Sequence, residues 1–250
     1  MGRERTRPSL RLDQLLVERG LAASRAWAQA MILAGEVVVG DHRADKPGAR
    51  VAPDAALRLR ARRPQYVSRA GAKLAAALDH FAVAIDGRVA LDAGASTGGF
   101  VGVLLERGAR RVYAVDVGYG QLDLSLQRDP RVTVLDRTNV RYLTAAQVAE
   151  PIDVVTLDLS FISLTKVLAA LWPLVAPGGH LVCLVKPQFE VGRERIGKGG
   201  IVRDAAARLA AVATVRRCAE QIGFISRDAI ESPLPGQKGN LEYLLALAKR

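Results

Sequence analysis

The sequence predicts a Rossmann-like α/β domain, a mostly parallel sheet wound with helices, preceded by a small basic α+β module. Three observations carry this. Residues 88–100 read RVALDAGASTGGF, an apolar run ending in a carboxylate and a glycine-rich turn, the pattern of a first strand, a ligand loop and a helix start. The next apolar run, Arg111 to Val115, ends in Asp116, 24 residues after Asp92, the spacing of an acid that reaches ribose hydroxyls. Further apolar runs alternate with helical patterns until Gly223 to Ser232 and Leu241 to Ala248, which read as two strands joined without a helix.

From the start of the chain, Leu12, Leu15 and Leu16 form a helical stripe that ends at Gly20. A second helix begins behind Ser24 as N-cap, carries Ala26, Ala30, Met31 and Leu33, and stops at Gly35. Val37, Val38 and Val39 suggest a strand, with a turn at Gly40-Asp41. These elements make a compact first domain over residues 1–57. The cationic run over 58–66, broken by Pro64, reads as a linker, and the second domain occupies 67–250. Within it, Val132 to Leu135, Ile152 to Leu157 and His180 to Val185 are the third, fourth and fifth strands, and Leu164 to Val175 is the clearest helix. Residues 191–204, VGRERIGKGGIVRD, are basic and glycine-rich and read either as a mobile loop or as a merely solvated one.

Half of the 250 residues are hydrophobic and 24% are charged, which excludes a disordered or fibrous chain. The formal charge of +11 points to a polyanionic partner or, less often, to good solubility alone. It is concentrated early: residues 1–70 carry 14 Lys and Arg against 7 Asp and Glu, the remainder 22 against 18. The basic start MGRERTRPSLRLD is not followed by the apolar region of a secretory signal, and no apolar run reaches the roughly 18 to 20 residues of a membrane span. Two cysteines, Cys183 and Cys218, fit a reducing cytoplasm rather than a disulfide framework. His42, His80 and His180 have no metal-ligand spacing, so no metal is expected.

Gly94, Ser96, Gly98 and Gly99 allow backbone to approach a ligand closely. A nicotinamide dehydrogenase would read G-x-G-x-x-G here and cradle a pyrophosphate. Instead Ser96 replaces the middle glycine, and Asp92 stands before the loop, where it repels a pyrophosphate and suits a cation. S-adenosylmethionine carries a sulfonium and an ammonium, so a methyl donor fits better than a dinucleotide. Asp92, Gly94, Ser96 and Gly98 are expected around its methionine half and Asp116 at its ribose. Asp136 or Asn139, after the third strand, neighbours the adenine, although either serves equally as a turn residue.

Four polar residues stand where ligands bind in open α/β sheets: Asp158 in VVTLDLSF, Lys186 in LVCLVKPQFE, Glu242 in GNLEY and Lys73 in SRAGAKL. With DAGASTGGF, DVGYGQL, LDLSFISL and SPLPGxxGNxEY, this set resembles the TlyA family of ribosomal RNA 2′-O-methyltransferases, whose catalytic domain is FtsJ-like. The early run R-L-D, then S-R, then I-x-x-G-x-V-x-V-x-G and K-P resembles the S4-type RNA-binding domain. The resemblance implies a class I S-adenosylmethionine-dependent fold, a seven-stranded sheet with a terminal antiparallel hairpin. It implies Lys73, Asp158, Lys186 and Glu242 as catalytic tetrad, and Arg11, Ser24, Arg25, Gln29, Arg43 and Lys46 as residues facing RNA. The implied substrate is a cytidine ribose in rRNA, free or in a ribosomal subunit, in the cytoplasm, with no membrane and no obligate protein partner. Among the four, Lys186 suits a general base, because a 2′-hydroxyl is a poor nucleophile until its proton is removed. A chain ending soon after its last strand favours the large-subunit (23S) substrate over the small-subunit (16S) one. The linker departs from some members, with RARR at 60–63 in place of an aromatic-containing tetrapeptide. A non-catalytic RNA-binding protein and a hemolysin-like cytolysin are the competing classes.

Overall fold

The computed structural model describes residues 9–22, 24–33, 35–59, 66–236 and 238–250. The chain divides into two compact units, 1–65 and 66–250.

In the first unit, β1 (Leu10–Arg11) runs into α1 (Leu12–Glu18), followed by α2 (Arg25–Leu33), β2 (Val37–Val39), β3 (His42–Arg43), β4 (Arg50–Val51) and β5 (Leu57–Leu59). β2 lies between β3 and β5, and β1 pairs with β4, all antiparallel. The expected leucine stripe is buried, but α2 turns a different face inward. Ala28, Met31 and Ile32 are its buried residues, at the i, i+3, i+4 spacing of one face, while Ala26, Ala30 and Leu33 are exposed. A nine-residue helix with apolar residues on every side does not declare its inner face by periodicity. Ser24 is the expected cap, its Oγ accepting from Trp27 N at 3.2 Å. The strand β5 straddles residue 57, where the sequence ends the first domain, because it pairs with β2 as far as Leu59 opposite Val37. The remainder of the expected linker, residues 60–65 with RARR, lies outside the described residues.

The second unit follows as α3 (Ala70–Phe81), β6 (Val89–Ala93), α4 (Gly99–Glu106), β7 (Arg111–Val115), α5 (Leu124–Gln127), β8 (Val132–Leu135), β9 (Ile152–Leu157), α6 (Leu168–Leu171), β10 (Val175–Val185), α7 (Pro187–Glu190), α8 (Ala205–Ile222), β11 (Ile225–Glu231) and β12 (Tyr243–Ala248). Its seven strands run in the order β11-β12-β10-β9-β6-β7-β8, parallel except for β12, which is antiparallel to both neighbours. The strand order reverses between β6 and β9, so a crevice opens beyond their carboxyl ends. Strand pleating divides the core. Val89, Leu91 and Ala93 pack with Leu168, Leu171, Val212 and Val215 on one face, and Ala90 packs with Leu74, Leu78 and Leu104 on the other. Asp92 therefore falls on the face covered by α3 and α4.

The helix expected over 164–175 is broken. Leu164–Lys166 form a 3-10 turn, α6 has four residues, and Val175 already belongs to β10. Pro173 explains the early end of α6, since it has no N–H to donate and its ring clashes with the preceding turn.

Candidate active site

β6 delivers Asp92 to the crevice floor with 1% of its surface exposed. Register places it opposite Thr156 of β9, whose Oγ1 donates to Asp92 Oδ1 at 2.7 Å. The other oxygen, Oδ2, is buried with no hydrogen-bond partner. Burial, with smaller contributions from Asp158 and Asp116, pushes the Asp92 carboxyl up to about 7. A buried, unpartnered carboxylate oxygen in a ligand cavity suits a cationic donor such as an ammonium.

The following loop closes against β9. Gly94 has φ +86°, and a Cβ there would lie 2.5 Å from the carbonyl oxygen of Asp158. Gly94→Ala is therefore expected to push the Asp158 backbone away, weakening donor binding at least tenfold in calorimetry while the fold is retained. Ser96 and Phe161 also adopt left-handed backbone, with φ of 44° and 66°, and both face ligand cavities. Asp116, at the end of β7, accepts from Ser96 N at 2.9 Å and Gly118 N at 2.7 Å, which fixes its carboxylate at the rim.

Gly94, Ser96, Asp116, Asn139, Asp158 and Phe161 line a cavity of about 790 Å³. Of the two adenine neighbours left open by sequence, Asn139 lines it, whereas Asp136 accepts from Gly120 N at 2.8 Å and lies outside. Gly98 also stays outside, since a Cβ there would meet Leu126 Cδ1 at 2.2 Å, and its smallness serves packing and the entry into α4. Val117, Gln121, Leu159 and Phe189 are among the further wall residues that the sequence did not single out. Apolar residues after a strand look the same whether they pack or bind.

A second cavity, of about 620 Å³, is lined by all four tetrad side chains and by Asp92, and shares Gly94, Ser96, Asp158, Ser160, Phe161 and Phe189 with the first. The tetrad forms two ion pairs. Lys73 Nζ, from α3, donates to Glu242 Oε2 at 2.5 Å, with side chains only 8% and 4% exposed. Lys186 Nζ, just after β10, lies 2.6 Å from Asp158 Oδ1 and donates to Ser160 Oγ at 2.9 Å. Removing one member of a buried pair strands the other charge, so Glu242→Ala is expected to cost about 3–5 kcal/mol in denaturant unfolding, more than the exposed Asp41→Ala.

In the first unit, three of the six residues expected to face RNA converge on one buried acid. Arg11 donates to both Asp13 oxygens at 3.0 and 2.9 Å, Arg25 Nε to Oδ2 at 3.0 Å and Gln29 Nε2 to Oδ2 at 2.9 Å. Asp13 is fully buried, and these donors, Arg11 first, hold its carboxyl well below the usual range. A depressed acid stabilises the fold above its unfolded pKa and loses that contribution as pH falls through its folded one. Asp13→Asn is accordingly expected to cost about 1–3 kcal/mol at neutral pH, and less below pH 3, in the unfolding of this unit. Arg11 and Arg25 remain partly exposed, so the same contacts pre-orient two guanidiniums. Ser24 and Lys46 are exposed, and the Arg43 guanidinium lies against Gly35.

The FtsJ-like methyltransferase family model matches residues 66–249 and the S4 domain model residues 10–57. The chain is 50% identical over 95% of its length to the 16S/23S rRNA (cytidine-2′-O)-methyltransferase TlyA of Mycobacterium tuberculosis, covering 89% of that protein. It is 36% identical over 94% of its length to Hemolysin A of Brachyspira hyodysenteriae, covering 98% of it. Among solved structures, a Streptococcus thermophilus protein labelled a hemolysin superposes with a TM-score of 0.74 at 40% identity, over 97% of this chain and 89% of that one. A crevice at the strand-order reversal, a buried acid beside it, two paired Lys-carboxylate sets and these matches together establish that the chain belongs to the TlyA family, FtsJ-like methyltransferases that carry an S4 domain.

Proposed function

We propose that this protein transfers a methyl group from S-adenosylmethionine to the ribose 2′-hydroxyl of a cytidine in ribosomal RNA. The observation that carries the reading is the junction of the two cavities at Gly94 and Asp158, with the Lys73–Glu242 and Lys186–Asp158 pairs on the acceptor side. When bound, S-adenosylmethionine supplies an electrophilic methyl whose C–S bond breaks as the ribose O–C bond forms.

The protein's own residues do the rest. Asp92, which lines the second cavity next to the shared Gly94, offers Oδ2 to a ligand ammonium, while in the first cavity Asp116 offers its carboxylate to ribose hydroxyls and Asn139 with Val117 and Leu159 borders the adenine. Lys186, as its neutral amine, takes the 2′-hydroxyl proton onto Nζ and becomes the ammonium that Asp158 and Ser160 hold through the contacts given above. Lys73 and Glu242 neutralise each other while presenting a donor and an acceptor to the ribose. Orientation of hydroxyl and methyl in one cavity replaces a bimolecular encounter. Arg11 and Arg25, pre-oriented by Asp13, serve RNA phosphates.

Relatives bear the hemolysin label, but no helix among the described residues is long and apolar enough to cross a membrane. The test is methyl transfer from radiolabelled S-adenosylmethionine to unmodified 23S and 16S rRNA, naked and in subunits, with mapping of 2′-O-methyl positions. Label on cytidine riboses is expected. Donor binding without label on any substrate would leave an RNA-binding protein instead.

A further inference from the structure

Residues 191–204, which read from sequence as a mobile or merely solvated loop, are tied to the acceptor cavity at one buried side chain. Their centre is a tight turn in which Gly197 N donates to Ile201 O and Gly200 N to Gly197 O, both at 3.0 Å. Gly199 and Gly200 both have φ +80°, a conformation that costs glycine much chain entropy to fix. Asn240, 3% exposed, supplies two bonds against that cost. Its Nδ2 donates to Gly200 O at 2.8 Å, and its Oδ1 accepts from Val202 N at 3.0 Å. Its own carbonyl accepts from Gly236 N at 2.9 Å, so it bridges the turn to the segment that leads into Glu242. Ile196 and Gly200 line the acceptor cavity beside Gly236, Lys238 and Glu242. Lys198 projects from the turn, exposed, with Arg193 and Arg195 exposed just before it.

We propose that Asn240 is a positioning residue that holds the Lys198 turn at the mouth of the acceptor cavity, where the lysine grips an RNA phosphate next to the target ribose. The inference rests on the 2′-O-methyltransferase reading. Chemistry favours a phosphate as the partner, because a ribose 2′-hydroxyl neighbours the carbon that bears the 3′ phosphodiester. A cation carried between Ile196 and Gly200, both of which line the cavity, is thus within reach of that group when the ribose is seated. An untethered diglycine turn would spread the same charge over many positions and lose much of the attraction to ordering entropy.

The test compares the full-length protein with Lys198→Ala, Asn240→Ala, Asn240→Asp and the Lys198/Asn240 double alanine variant, in steady-state methylation of rRNA and in donor binding. Each alanine variant is expected to raise KM for RNA about tenfold, with kcat within twofold and donor affinity unchanged. The double variant should be no worse than the worse single one, as for residues acting through one contact. Lys198→Ala should also flatten the salt dependence of RNA binding by the equivalent of about one phosphate contact. Asn240→Asp, which sets an acceptor oxygen against Gly200 O in a buried site, should raise KM at least as much as Asn240→Ala. Additive losses in the double variant, unchanged KM in Lys198→Ala, or a fall in kcat alone in Asn240→Ala would each overturn the proposal. Should Asn240→Ala misfold and lose donor binding, the exposed Lys198 variant still decides. Absence of transfer by the wild-type protein strikes the functional reading itself, and the RNA gel shift of Lys198→Ala then reads the phosphate contact on its own.

Discussion

Lys186→Ala is expected to lower kcat by about 10³-fold or more, with donor affinity within threefold of wild type. The expectation follows from the four charged side chains in the acceptor cavity, which are arranged as two pairs. Lys73 is locked onto Glu242 in near-complete burial, whereas Lys186 holds Asp158 and Ser160 at the junction with the donor cavity. Lys186→Arg separates two roles for the lysine. Arginine keeps the positive charge and the contact to Asp158 but stays protonated, so it cannot serve as a base. Single-turnover transfer from radiolabelled donor should therefore be as slow in the arginine variant as in the alanine one. An active arginine variant would reassign Lys186 to charge stabilisation and leave proton removal to another group.

Donor affinity is expected to fall by up to tenfold per pH unit below about 7 and to level off above it, because Asp92 must ionise to receive a cationic ligand. In the free protein burial raises its carboxyl to about 7, and a ligand ammonium at the unpartnered Oδ2 favours the ionised form. Binding on the acid side then releases a proton, which calorimetry in buffers of different ionisation enthalpy detects. Asp92→Asn should remove the pH dependence and weaken binding by about 1.5–3 kcal/mol, the worth of a hydrogen bond to a charged group. The linkage to stability has the opposite sign. An acid whose folded pKa is raised stabilises the ligand-free fold most when protonated, and that contribution is lost as pH rises from about 4 through about 7. Flat affinity between pH 5.5 and 8 would show that Asp92 does not meet the donor's charge.

Much of the fold was legible because parallel strands buried on both faces read as uninterrupted apolar runs. Arg111 to Val115, Val132 to Leu135 and Ile152 to Leu157 end where the sequence places them, and the hairpin of β11 and β12 follows from two apolar runs without a helix between. Legibility failed where local pattern was ambiguous. α2 is apolar except at Arg25 and Gln29, and in 164–175 a continuous leucine spacing masks the end that Pro173 imposes. The tetrad residues were nameable from their motifs, but not their partners, since Lys73 and Glu242 lie 169 positions apart. Asp13 went unnoticed inside the RLD motif, although it organises Arg11, Arg25 and Gln29.

The sequence by itself determined the two-part organisation, the strand periods and the inventory of chemical groups, because these depend on neighbours along the chain. Only the tertiary structure decided which lysine pairs with which carboxylate, that Asn139 rather than Asp136 lines the first cavity, and that Asn240 bonds to the Lys198 turn. Those outcomes depend on sheet order and strand register, which set Asp92 opposite Thr156 and bring the ends of β6 and β9 to one crevice. Register is a property of chain segments that meet only after folding.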